Sequence, residues 1–317
     1  MFFSVIIPSR NRPQLLRQAI ESVLSQDHSS FEVVIVNDGS DGDNRLAYAS
    51  MAEEWPGRAR FIELDQAPRG HGPSFAINRG VENAVGEYVC FLDDDDIWTD
   101  PSNLSRAADA IQQFEADVCF SRQQAYLKGD LVPGDHWLNG LDRNDASSQE
   151  AFQTSVDELM RACNGKFAHL NTFVVRRSLY LSLSGMDEYI RYECEWDLYL
   201  RVIAAANAIT YMPRVTARHN VPDPALQENV STDMPFLQKL LFRSFVMDKA
   251  LMFSPSPSIR IMAAEHKTYT LKRIAELLAG DRHYNQALFY AREARIRPLD
   301  MKWRLYIAYL ALATFTE

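Results

Sequence analysis

The chain has 317 residues, of which 47% are hydrophobic and 24% are charged, a balance typical of folded globular proteins that argues against wholesale disorder. Its formal net charge of −9 argues against a nucleic-acid-binding protein, because such proteins need a basic surface to displace counterions from phosphates. The four cysteines are far apart and form no Cys-x-x-Cys pair, so they indicate neither a zinc site nor a disulfide framework and favour a reducing compartment.

Strand and helix patterns alternate from the start of the chain to about residue 121. Continuous apolar runs predict strands at Phe3–Pro8, Phe31–Val36, Arg60–Leu64 and Glu87–Leu92. Helical spacing of apolar residues predicts helices between them, at Pro13–Gln26, Asn44–Glu54 and Ser74–Ala84. Strands that are apolar throughout and separated by helices predict an α/β protein, with a mostly parallel sheet covered by helices on both faces.

Polar clusters follow three of these strands, at Ser9–Asn11, Asn37–Ser40 and Asp93–Asp96. Because ligands bind at the carboxyl ends of strands in such sheets, we expect these groups to meet at one edge. Four adjacent carboxylates repel one another by roughly 1 kcal/mol per close pair even in water. A hard divalent cation, Mn²⁺ or Mg²⁺, would relieve that repulsion, and the alternative is a solvated acidic turn.

The alternation weakens beyond Ser121. Residues 122–150 are polar and turn-rich, which predicts a long functional loop. From about residue 232 the pattern is helical and includes an αα-hairpin. The elements predicted in this part are a helix near Val156–Cys163, a strand near Thr172–Arg176, a helix beginning near Glu195, a short strand at Thr210–Met212, and the hairpin helices Tyr269–Leu278 and Tyr284–Ala294.

The sequence predicts a soluble, cytoplasmic protein. Its N-terminus lacks the basic region of a signal peptide, and no uncharged apolar run reaches the ~18 residues of a membrane span. Residues 306–313 come nearest, and a segment apolar on every side indicates a buried helix or a contact surface. It stays open whether the C-terminal helices contact the inner face of a membrane, a second copy of the chain or only the rest of the protein.

Several motifs follow one another in a specific order, although each alone would be weak. They are Val5–Asn11, Glu32–Ser40, Gly70–Ser74, Ala84–Tyr88, Asp93–Asp96, Thr172–Arg177, Gly185–Glu188 and Trp196–Arg201. Together they resemble the family 2 glycosyltransferases, which have the GT-A type of nucleotide-diphospho-sugar transferase fold. The resemblance covers about residues 1–231.

This resemblance implies a GT-A catalytic domain at residues 1–231, with a nucleotide-sugar-binding half at 1–121 and an acceptor half at 122–231. Residues 232–317 are predicted to form a C-terminal helical region. The predicted fold class is therefore α/β, with a mostly parallel sheet flanked by helices and an α-helical appendage.

The resemblance implies a UDP-sugar donor and a divalent cation, Mn²⁺ or Mg²⁺. Pro8, Ser9 and Asn11 would shape the base end of the nucleotide pocket. Asp38 would accept a hydrogen bond from a pyrimidine ring N–H, which favours uridine. The alternative for Asp38 is an Asx-turn or cap that closes the second strand.

The family's Asp-x-Asp motif maps most simply onto Asp93 and Asp95, although four identical residues leave the register open by one position. Asp94 would lie near the ribose, and Asp95 would bind the metal at the diphosphate. Asp96 would cap the following helix or hold a water molecule. His219 would complete the metal shell or contact the diphosphate, whereas a lone histidine is more often structural.

In the family, the general base directly precedes a helix that resembles Trp196–Arg201, and Glu195 occupies that position. Glu in place of the usual Asp, and Cys194 in place of an acid, depart from the family pattern. Glu193 is the alternative base. The plain alternative for Glu195 is a first-turn carboxylate that interacts with the helix dipole.

Trp196, Asp197 and Asn171 are predicted to lie in the pocket for the acceptor or donor sugar. The alternatives are core packing for Trp196 and a pair with Arg201, four residues along the helix, for Asp197.

The predicted function is that of an inverting, metal-dependent glycosyltransferase. It would transfer a sugar to a saccharide or glycolipid acceptor, in bacterial surface polysaccharide or glycoconjugate synthesis. Inversion follows from a single base with no second carboxylate acting as nucleophile. Two alternatives stay open, a nucleotidyltransferase and a catalytically silent nucleotide-sugar-binding scaffold.

Overall fold

The structure is a computed structural model that describes residues 1–134, 141, 151–163, 166–223, 225, 230–294 and 301–316. Its strands are β1 (Phe3–Ser9), β2 (Phe31–Asn37), β3 (Ala59–Glu63), β4 (Tyr88–Phe91), β5 (Ile97–Trp98), β6 (Val118–Leu127), β7 (Asp130–Leu131), β8 (Phe152–Thr154), β9 (Phe173–Arg176) and β10 (Ile209–Asn220). Its α-helices are α1 (Pro13–Leu24), α2 (Gly42–Glu54), α3 (Pro73–Asn83), α4 (Asn103–Phe114), α5 (Val156–Cys163), α6 (Arg177–Ser182), α7 (Cys194–Ala205), α8 (Val230–Asp233), α9 (Phe236–Phe253), α10 (Pro257–Gly280), α11 (Tyr284–Glu293) and α12 (Met301–Ala313).

The first half of the sheet is parallel and confirms the predicted alternation. β1 pairs with β2 and with β4, and β2 pairs with β3, all in parallel register. All seven residues of β1 are buried, because the sheet is covered on both faces here. The predicted helices between these strands are α1, α2 and α3, whose observed ends lie within two residues of the predicted ones.

The second half of the sheet is mixed, and the reversed strand β9 lies in its interior. The strand order is β3-β2-β1-β4-β9-β6-β10-β5, with β7 beside β6 and β8 beside β10. β9 runs antiparallel to both β4 and β6, and β10 is parallel to β6. The strands β1, β2, β3, β4, β6 and β10 therefore share one direction, which agrees with the predicted mostly parallel sheet, whereas β5, β7, β8 and β9 run in the opposite direction. Because β9 is reversed, its first residue lies at the edge where its neighbours end.

The predicted loop at 122–150 begins as regular structure. β6 continues to Leu127 and turns back as the two-residue strand β7. A β-hairpin therefore replaces the start of the loop. Of residues 135–150, all but residue 141 lie outside the described residues.

β10 is much longer than the short strand predicted at Thr210–Met212, because it continues to Asn220. Its pairing with β6 shifts register twice after Tyr211. Such irregularities interrupt the alternation of buried and exposed side chains by which a strand is recognised in a sequence. The extension matters because it carries His219 to the edge of the sheet.

Two hydrophobic cores lie on the opposite faces of the sheet. One face packs against α1, α2 and α4, with Leu16, Tyr48 and Leu104 fully buried. The other face packs against α3 and α7, and its core also includes Val246 of α9 and Ile259 of α10. The start of the C-terminal helical region thus shares a core with the sheet.

The remaining C-terminal helices form a separate core among themselves. The second half of α10 packs with α11 and α12 around residues such as Ile274, Ala287 and Leu310. The predicted αα-hairpin is present as α10 and α11, although α10 begins twelve residues earlier than expected, at Pro257 instead of Tyr269. None of the described helices has the length and apolar character needed to cross a membrane. The division at residue 231 stays a prediction.

Candidate active site

Side chains from five strands meet at the carboxyl edge of the sheet. Ser9 ends β1, Asn37 ends β2, and the acidic residues follow β4. His219 lies one residue before the end of β10. The 3₁₀ turn Leu170–Thr172 leads into the reversed strand β9, so it reaches the same edge from the opposite direction. The predicted convergence of polar groups is therefore observed.

Asp96 anchors the acidic turn. Its side chain is fully buried and accepts hydrogen bonds from the backbone N–H of Asn220 at 2.6 Å and from the side-chain amide of Asn171. His219 Nδ1 lies 3.0 Å from its second oxygen. These interactions keep the pKa of Asp96 below its usual value, although burial alone would raise it.

The prediction that Asp96 caps the following helix is wrong. Ser102 precedes α4 and makes no side-chain capping bond, and the carboxylate of Asp96 is directed to Asn171 and His219 instead. Its burial and its partners give it a structural role that ties the acidic turn to β10.

Asp94 and Asp95 both form an ion pair with one arginine, Arg12, in the loop after β1. Arg12 Nη1 lies 3.2 Å from Asp94 Oδ1 and 3.1 Å from Asp95 Oδ2. Ser9 Oγ donates to Asp94 at 2.6 Å and also contacts the hydroxyl of Tyr48 at 2.5 Å. Burial raises the pKa of Asp94 to about 6, and Arg12 opposes that shift. Sequence reasoning missed Arg12, whose only signal was its place in a polar loop at a strand end.

The neighbouring carboxylates and histidines form a set of potential metal ligands. Among the described residues, three groups have ligand atoms within 4.8 Å of one another. The groups are Asp93 with Asp95 and Asp96, Asp93 with His169 and Glu195, and Asp96 with His169 and His219. The carboxylate oxygens of this set suit Mn²⁺ or Mg²⁺.

Asp93 shows why a cation fits this cluster. Burial raises its pKa well above the usual value, and the charges of Glu195 and Asp96 add to the shift. Several buried carboxylates cannot all ionise without compensation, and a divalent ion would provide it. The donor set therefore fits the predicted cation, and Asp93 and Asp95 are in the cluster as expected.

Two histidines beside the acidic cluster have pKa values shifted in opposite directions. The rings of His169 and His219 are 4.5 Å apart. Burial lowers the pKa of His169 to about 3, so this ring is neutral near pH 7. The pKa of His219 is raised, because the hydrogen bond and charge of Asp96 outweigh the effect of burial. His219 was predicted from the sequence, whereas His169 was not.

Glu195 reaches this cluster from the first turn of α7. Its Oε2 lies 3.7 Å from His169 Nε2, and the same nitrogen lies 3.8 Å from Asp93 Oδ2. Burial raises the pKa of Glu195 to about 7, although the charge of His219 opposes the shift. A quarter of its side chain remains exposed. A carboxylate with a pKa near neutrality and access to the cleft is suited to act as a general base.

The alternative base, Glu193, is occupied elsewhere. Its carboxylate accepts hydrogen bonds from Arg243 of α9 at 2.9 and 2.6 Å, and only 7% of its side chain is exposed. This contact turns Glu193 towards the C-terminal helices. Glu195 is therefore the better candidate for the base.

Trp196 and Asp197 lie in the packed interior instead of an open pocket. Trp196 is 3% exposed and stacks on Phe167 with ring centroids 5.5 Å apart. Asp197 pairs with Arg201 at 2.7 Å, as the sequence alternative had it, and with Lys249 of α9 at 2.8 Å. Both side chains contact the C-terminal helices, Trp196 through His266 of α10 and Asp197 through Lys249 of α9. The structure therefore does not place them in a sugar pocket.

Asn171 is buried within the acidic cluster. Its amide nitrogen donates to Asp96, and its Oδ1 accepts the backbone N–H of Asp93 at 3.3 Å. Its own carbonyl accepts the indole N–H of Trp98 at 3.1 Å. Asn171 thus orients the acidic turn, and its predicted contact with a sugar stays a prediction.

The predicted nucleotide end of the site is built from the loops after β1 and β2. Pro8 is buried in β1. Asn11 joins the two loops, since its backbone N–H donates to Ser40 at 2.9 Å and its side chain exchanges two hydrogen bonds with Asp41. Asn11 has a φ of 58°, which an Asn tolerates better than most residues.

Asp38 holds the glycine-rich loop in place. Its two oxygens accept the backbone N–H groups of His71 and Gly72 at 2.8 and 2.9 Å, and the His71 ring nitrogen lies 2.9 Å away. Gly70 has a φ of 70°, and a Cβ there would come within 2.4 Å of Asp38. The contact of Asp38 with a pyrimidine stays a prediction.

A model of one protein family matches more than half of the chain. The model is described as glycosyl transferase family 2, and it covers residues 4–181. The chain belongs to this family. The resemblance read from the ordered motifs is therefore confirmed.

Curated relatives in this family come from bacteria. The chain is 36% identical over 151 residues to the uncharacterized glycosyltransferase alr2836 of Nostoc sp.. It is 28% identical over 200 residues to the amylovoran biosynthesis glycosyltransferase AmsB of Erwinia amylovora, and 29% identical over 203 residues to the succinoglycan biosynthesis protein ExoW of Rhizobium meliloti. These matches cover 48%, 63% and 62% of this chain and span 41%, 63% and 59% of the relatives' own lengths.

Solved structures of family-like enzymes share the fold. S. aureus TarS 1-349 in complex with UDP-GlcNAc matches 99% of this chain and 88% of that chain, with a TM-score of 0.70 at 18% identity. The mannosyltransferase PcManGT of Pyrobaculum calidifontis, in complex with GDP-Man and Mn²⁺, matches 99% and 86%, with a TM-score of 0.61 at 17% identity. At such identity the likeness concerns the fold alone, and it confirms the predicted GT-A type.

Proposed function

We propose that this protein is an inverting glycosyltransferase that transfers a sugar from a UDP-sugar to a hydroxyl group of a saccharide or glycolipid acceptor. The observation that carries the proposal is the position of Glu195. Its carboxylate lies within 4.8 Å of the Asp93 carboxylate, with His169 near both. A candidate base and a candidate cation site are thus adjacent at the carboxyl edge of the sheet.

Family membership and fold support a nucleotide-sugar donor. S. aureus TarS, which shares the fold, has been solved with UDP-GlcNAc and with UDP. Ser9, Asn11 and Asp38 lie in the loops that would receive the base and ribose, and Asp94 lies beside Ser9. The relatives AmsB and ExoW carry names from amylovoran and succinoglycan biosynthesis, which supports a role in bacterial surface polysaccharide synthesis.

Asp93 and Asp95, which share a group of potential ligands with Asp96, would hold the divalent cation, with Mn²⁺ or Mg²⁺ as the candidates. His219, which is grouped with Asp96 and His169, would complete the metal shell from the side of Asp96. A bound cation supplies Lewis-acid stabilisation of the negative charge that develops on a departing diphosphate. Asp96 and Asn171 keep the acidic turn in place, and Arg12 holds Asp94 and Asp95 towards the loop after β1.

Glu195 would take the proton from the attacking acceptor hydroxyl. Attack from the face opposite the leaving diphosphate inverts the configuration at the anomeric carbon. The neutral His169 lies 3.8 Å from the carboxylate of Asp93 and 3.7 Å from that of Glu195, so it adds no positive charge that would compete with a cation. Proton transfer to a positioned base contributes about 10²–10⁴-fold to a rate.

The experiment is a UDP-release assay with UDP-Glc, UDP-Gal, UDP-GlcNAc and UDP-GlcA, with Mn²⁺, and with extracted glycolipids as acceptors. We expect release that depends on the acceptor and on Glu195. UDP binding without turnover would favour the silent scaffold, and pyrophosphate release from a nucleoside triphosphate with a sugar phosphate would favour the nucleotidyltransferase. A product with retained anomeric configuration would contradict inversion.

We also propose that the protein works in the cytoplasm at the inner face of the membrane, through α12. This helix exposes Met301, Leu305, Tyr309 and Leu312 at spacings of four, four and three residues, which places them on one side of the helix. Exposed Lys302 and Arg304 in the first turn of the same helix suit an anionic surface. Co-sedimentation with phosphatidylglycerol vesicles but not phosphatidylcholine vesicles, lost in Leu305→Glu, would support this contact; no co-sedimentation with either would contradict it.

A further inference from the structure

We propose that α9 positions the catalytic base, and that Arg243 and Lys249 are positioning residues for Glu195. The inference rests on the proposed function, since it takes Glu195 to be the base. Both cations come from the C-terminal helical region, and each binds a carboxylate two residues away from Glu195 along α7.

The first contact fixes the start of α7. Arg243 Nε and Nη2 donate to Glu193 Oε1 at 2.9 and 2.6 Å, and Glu193 is almost entirely buried there. Glu193 has a φ of 64°, a left-handed conformation that is strained for a residue with a side chain. Its carbonyl accepts the N–H of Asp197 at 3.1 Å, so this strained residue sets where the helix begins. Arg243 stabilises Glu193 in that conformation.

The second contact fixes the first turn from the other side. Lys249 Nζ lies 2.8 Å from Asp197 and 2.7 Å from Asp187, so it joins α7 to the segment that precedes it. Asp197 also accepts from Arg201, whose guanidinium donates to the carbonyl of Gly185 at 2.8 Å. Asp197 is 3% exposed, so these ionic contacts are shielded from solvent.

Between these two contacts, Trp196 packs between aromatic rings. Phe167 stacks on it with centroids 5.5 Å apart, and His266 of α10 meets it edge-on at 5.1 Å. Two of the C-terminal helices, α9 and α10, therefore touch the first turn of α7.

Helix geometry explains why these contacts act on Glu195. The side chains of Glu193, Trp196 and Asp197 all contact α9 or α10. Within α7, position 195 is rotated by about 100° from position 196 and by about 200° from position 197, since each residue turns the helix by roughly 100°. The side facing α9 and α10 is therefore held, and Glu195 projects from the other side, 3.7 Å from His169.

A general base must be held close to its productive geometry, because a displacement of about 1 Å can lower a rate by about a hundredfold. In the described structure, the face of the turn opposite Glu195 is held by ion pairs from α9. Arg243 and Lys249 of α9 thus support the position of the base, in addition to the core that α9 shares with the sheet.

The test compares three full-length variants in the UDP-release assay, with the most active UDP-sugar of the panel and saturating Mn²⁺. Arg243→Gln and Lys249→Gln each remove one contact with α7. Lys267→Gln is the matched control, because the ion pair of Lys267 with Asp248 joins α10 to α9. We expect kcat to fall about tenfold to a hundredfold in the first two variants, with unchanged donor KM and unchanged UDP affinity by calorimetry, and no change in the control.

A charge exchange tests whether the contact itself matters. Arg243→Glu should lower kcat. The double variant Arg243→Glu with Glu193→Lys should have a kcat at least threefold higher than Arg243→Glu alone, because the exchanged pair restores the attraction. Unchanged kcat in both Arg243→Gln and Lys249→Gln would overturn the inference. So would a kcat loss matched by a loss of UDP affinity or of folded protein that the exchange does not recover.

Glu195→Gln separates this inference from the proposed function. Full turnover in Glu195→Gln would show that the base assignment fails. If Glu195→Gln abolishes turnover but Arg243→Gln and Lys249→Gln keep the wild-type kcat, only the positioning inference fails.

Discussion

Asp93 and Glu195 bring carboxylate oxygens within 4.8 Å of each other, and burial is the first cause of a raised pKa in both. The two residues come from opposite halves of the chain, one after β4 and one at the start of α7. Because these carboxylates are close together, their negative charge must be compensated either by bound protons or by a bound cation. The free energy of unfolding therefore depends on both the pH and the cation concentration.

We expect the metal-free protein to lose stability as the pH rises above 6.5. A raised pKa in the folded state means that the folded protein holds a proton that the unfolded chain has released, so stability falls as the pH rises towards the folded pKa, about 7 for Glu195. Each such proton corresponds to about 1.4 kcal/mol per pH unit. Asp93 and His219 act in the same direction.

The expected loss of stability begins only at pH 6.5, because below that pH His169 has an opposite effect on the free energy of unfolding. Its lowered pKa makes acidification below 6.5 destabilising, which offsets the carboxylates there. Thermal unfolding in chelator between pH 6.5 and 8 measures the effect. Mn²⁺ should raise Tm more at pH 8 than at pH 6.5, since binding requires deprotonated ligands. A metal-free Tm that rises with pH, or a Mn²⁺ effect independent of pH, would contradict this account.

Glu195→Gln should lower turnover by about 10²–10⁴-fold while leaving UDP affinity intact, because the amide keeps the shape of the side chain but cannot accept the proton. In the wild type, kcat should rise with pH as Glu195 becomes ionised, and the midpoint should lie below the metal-free pKa of about 7, because a bound cation favours the charged carboxylate. The pH–rate profile and calorimetry with UDP measure the two effects. If kcat of Glu195→Gln still rises with pH in the same way, the rise must come from the ionisation of another group.

Asp95→Ala should weaken UDP binding, whereas Asp96→Ala should lower the stability of the fold. Asp95 is partly exposed and pairs with Arg12, so its variant should fold but lose the Mn²⁺-dependent part of UDP binding. Asp96 is fully buried with His219 and Asn171, so its removal leaves buried partners unmatched at a cost of about 3–5 kcal/mol. Urea denaturation and calorimetry with and without chelator separate the two. Equal stability of the two variants would refute the anchoring role of Asp96.

Much of the fold follows from local sequence patterns, and the missed parts depend on distant contacts. The apolar runs of β1, β2 and β4 are recognisable because both faces of each strand are buried. The polar groups at their ends follow from the parallel direction alone. The length of β10 could not be predicted, because its register shifts break the pattern.

The site shows the same limit. Asp93, Asp95 and Glu195 were found because an acidic run and an ordered motif mark them in the sequence. His169 carries no such mark, since it lies in a short stretch before a reversed strand whose direction the sequence does not reveal. Its partners come from about 76 residues earlier and 26 residues later in the chain, so only the fold brings them together.

Gly70→Ala should displace the loop that Asp38 holds, and weaken UDP binding. The residue has a φ of 70°, and an added Cβ would lie 2.4 Å from Asp38 Oδ2. Gly57→Ala is the matched control, because Gly57 has a φ of 75° but nothing within 4 Å of the new Cβ. Both variants should lose about 1–2 kcal/mol from the left-handed backbone, and only Gly70→Ala should lose more and bind UDP at least about tenfold more weakly. Urea denaturation and calorimetry measure both quantities, and equal losses in the two variants would show that the contact of Gly70 with Asp38 does not shape the nucleotide site.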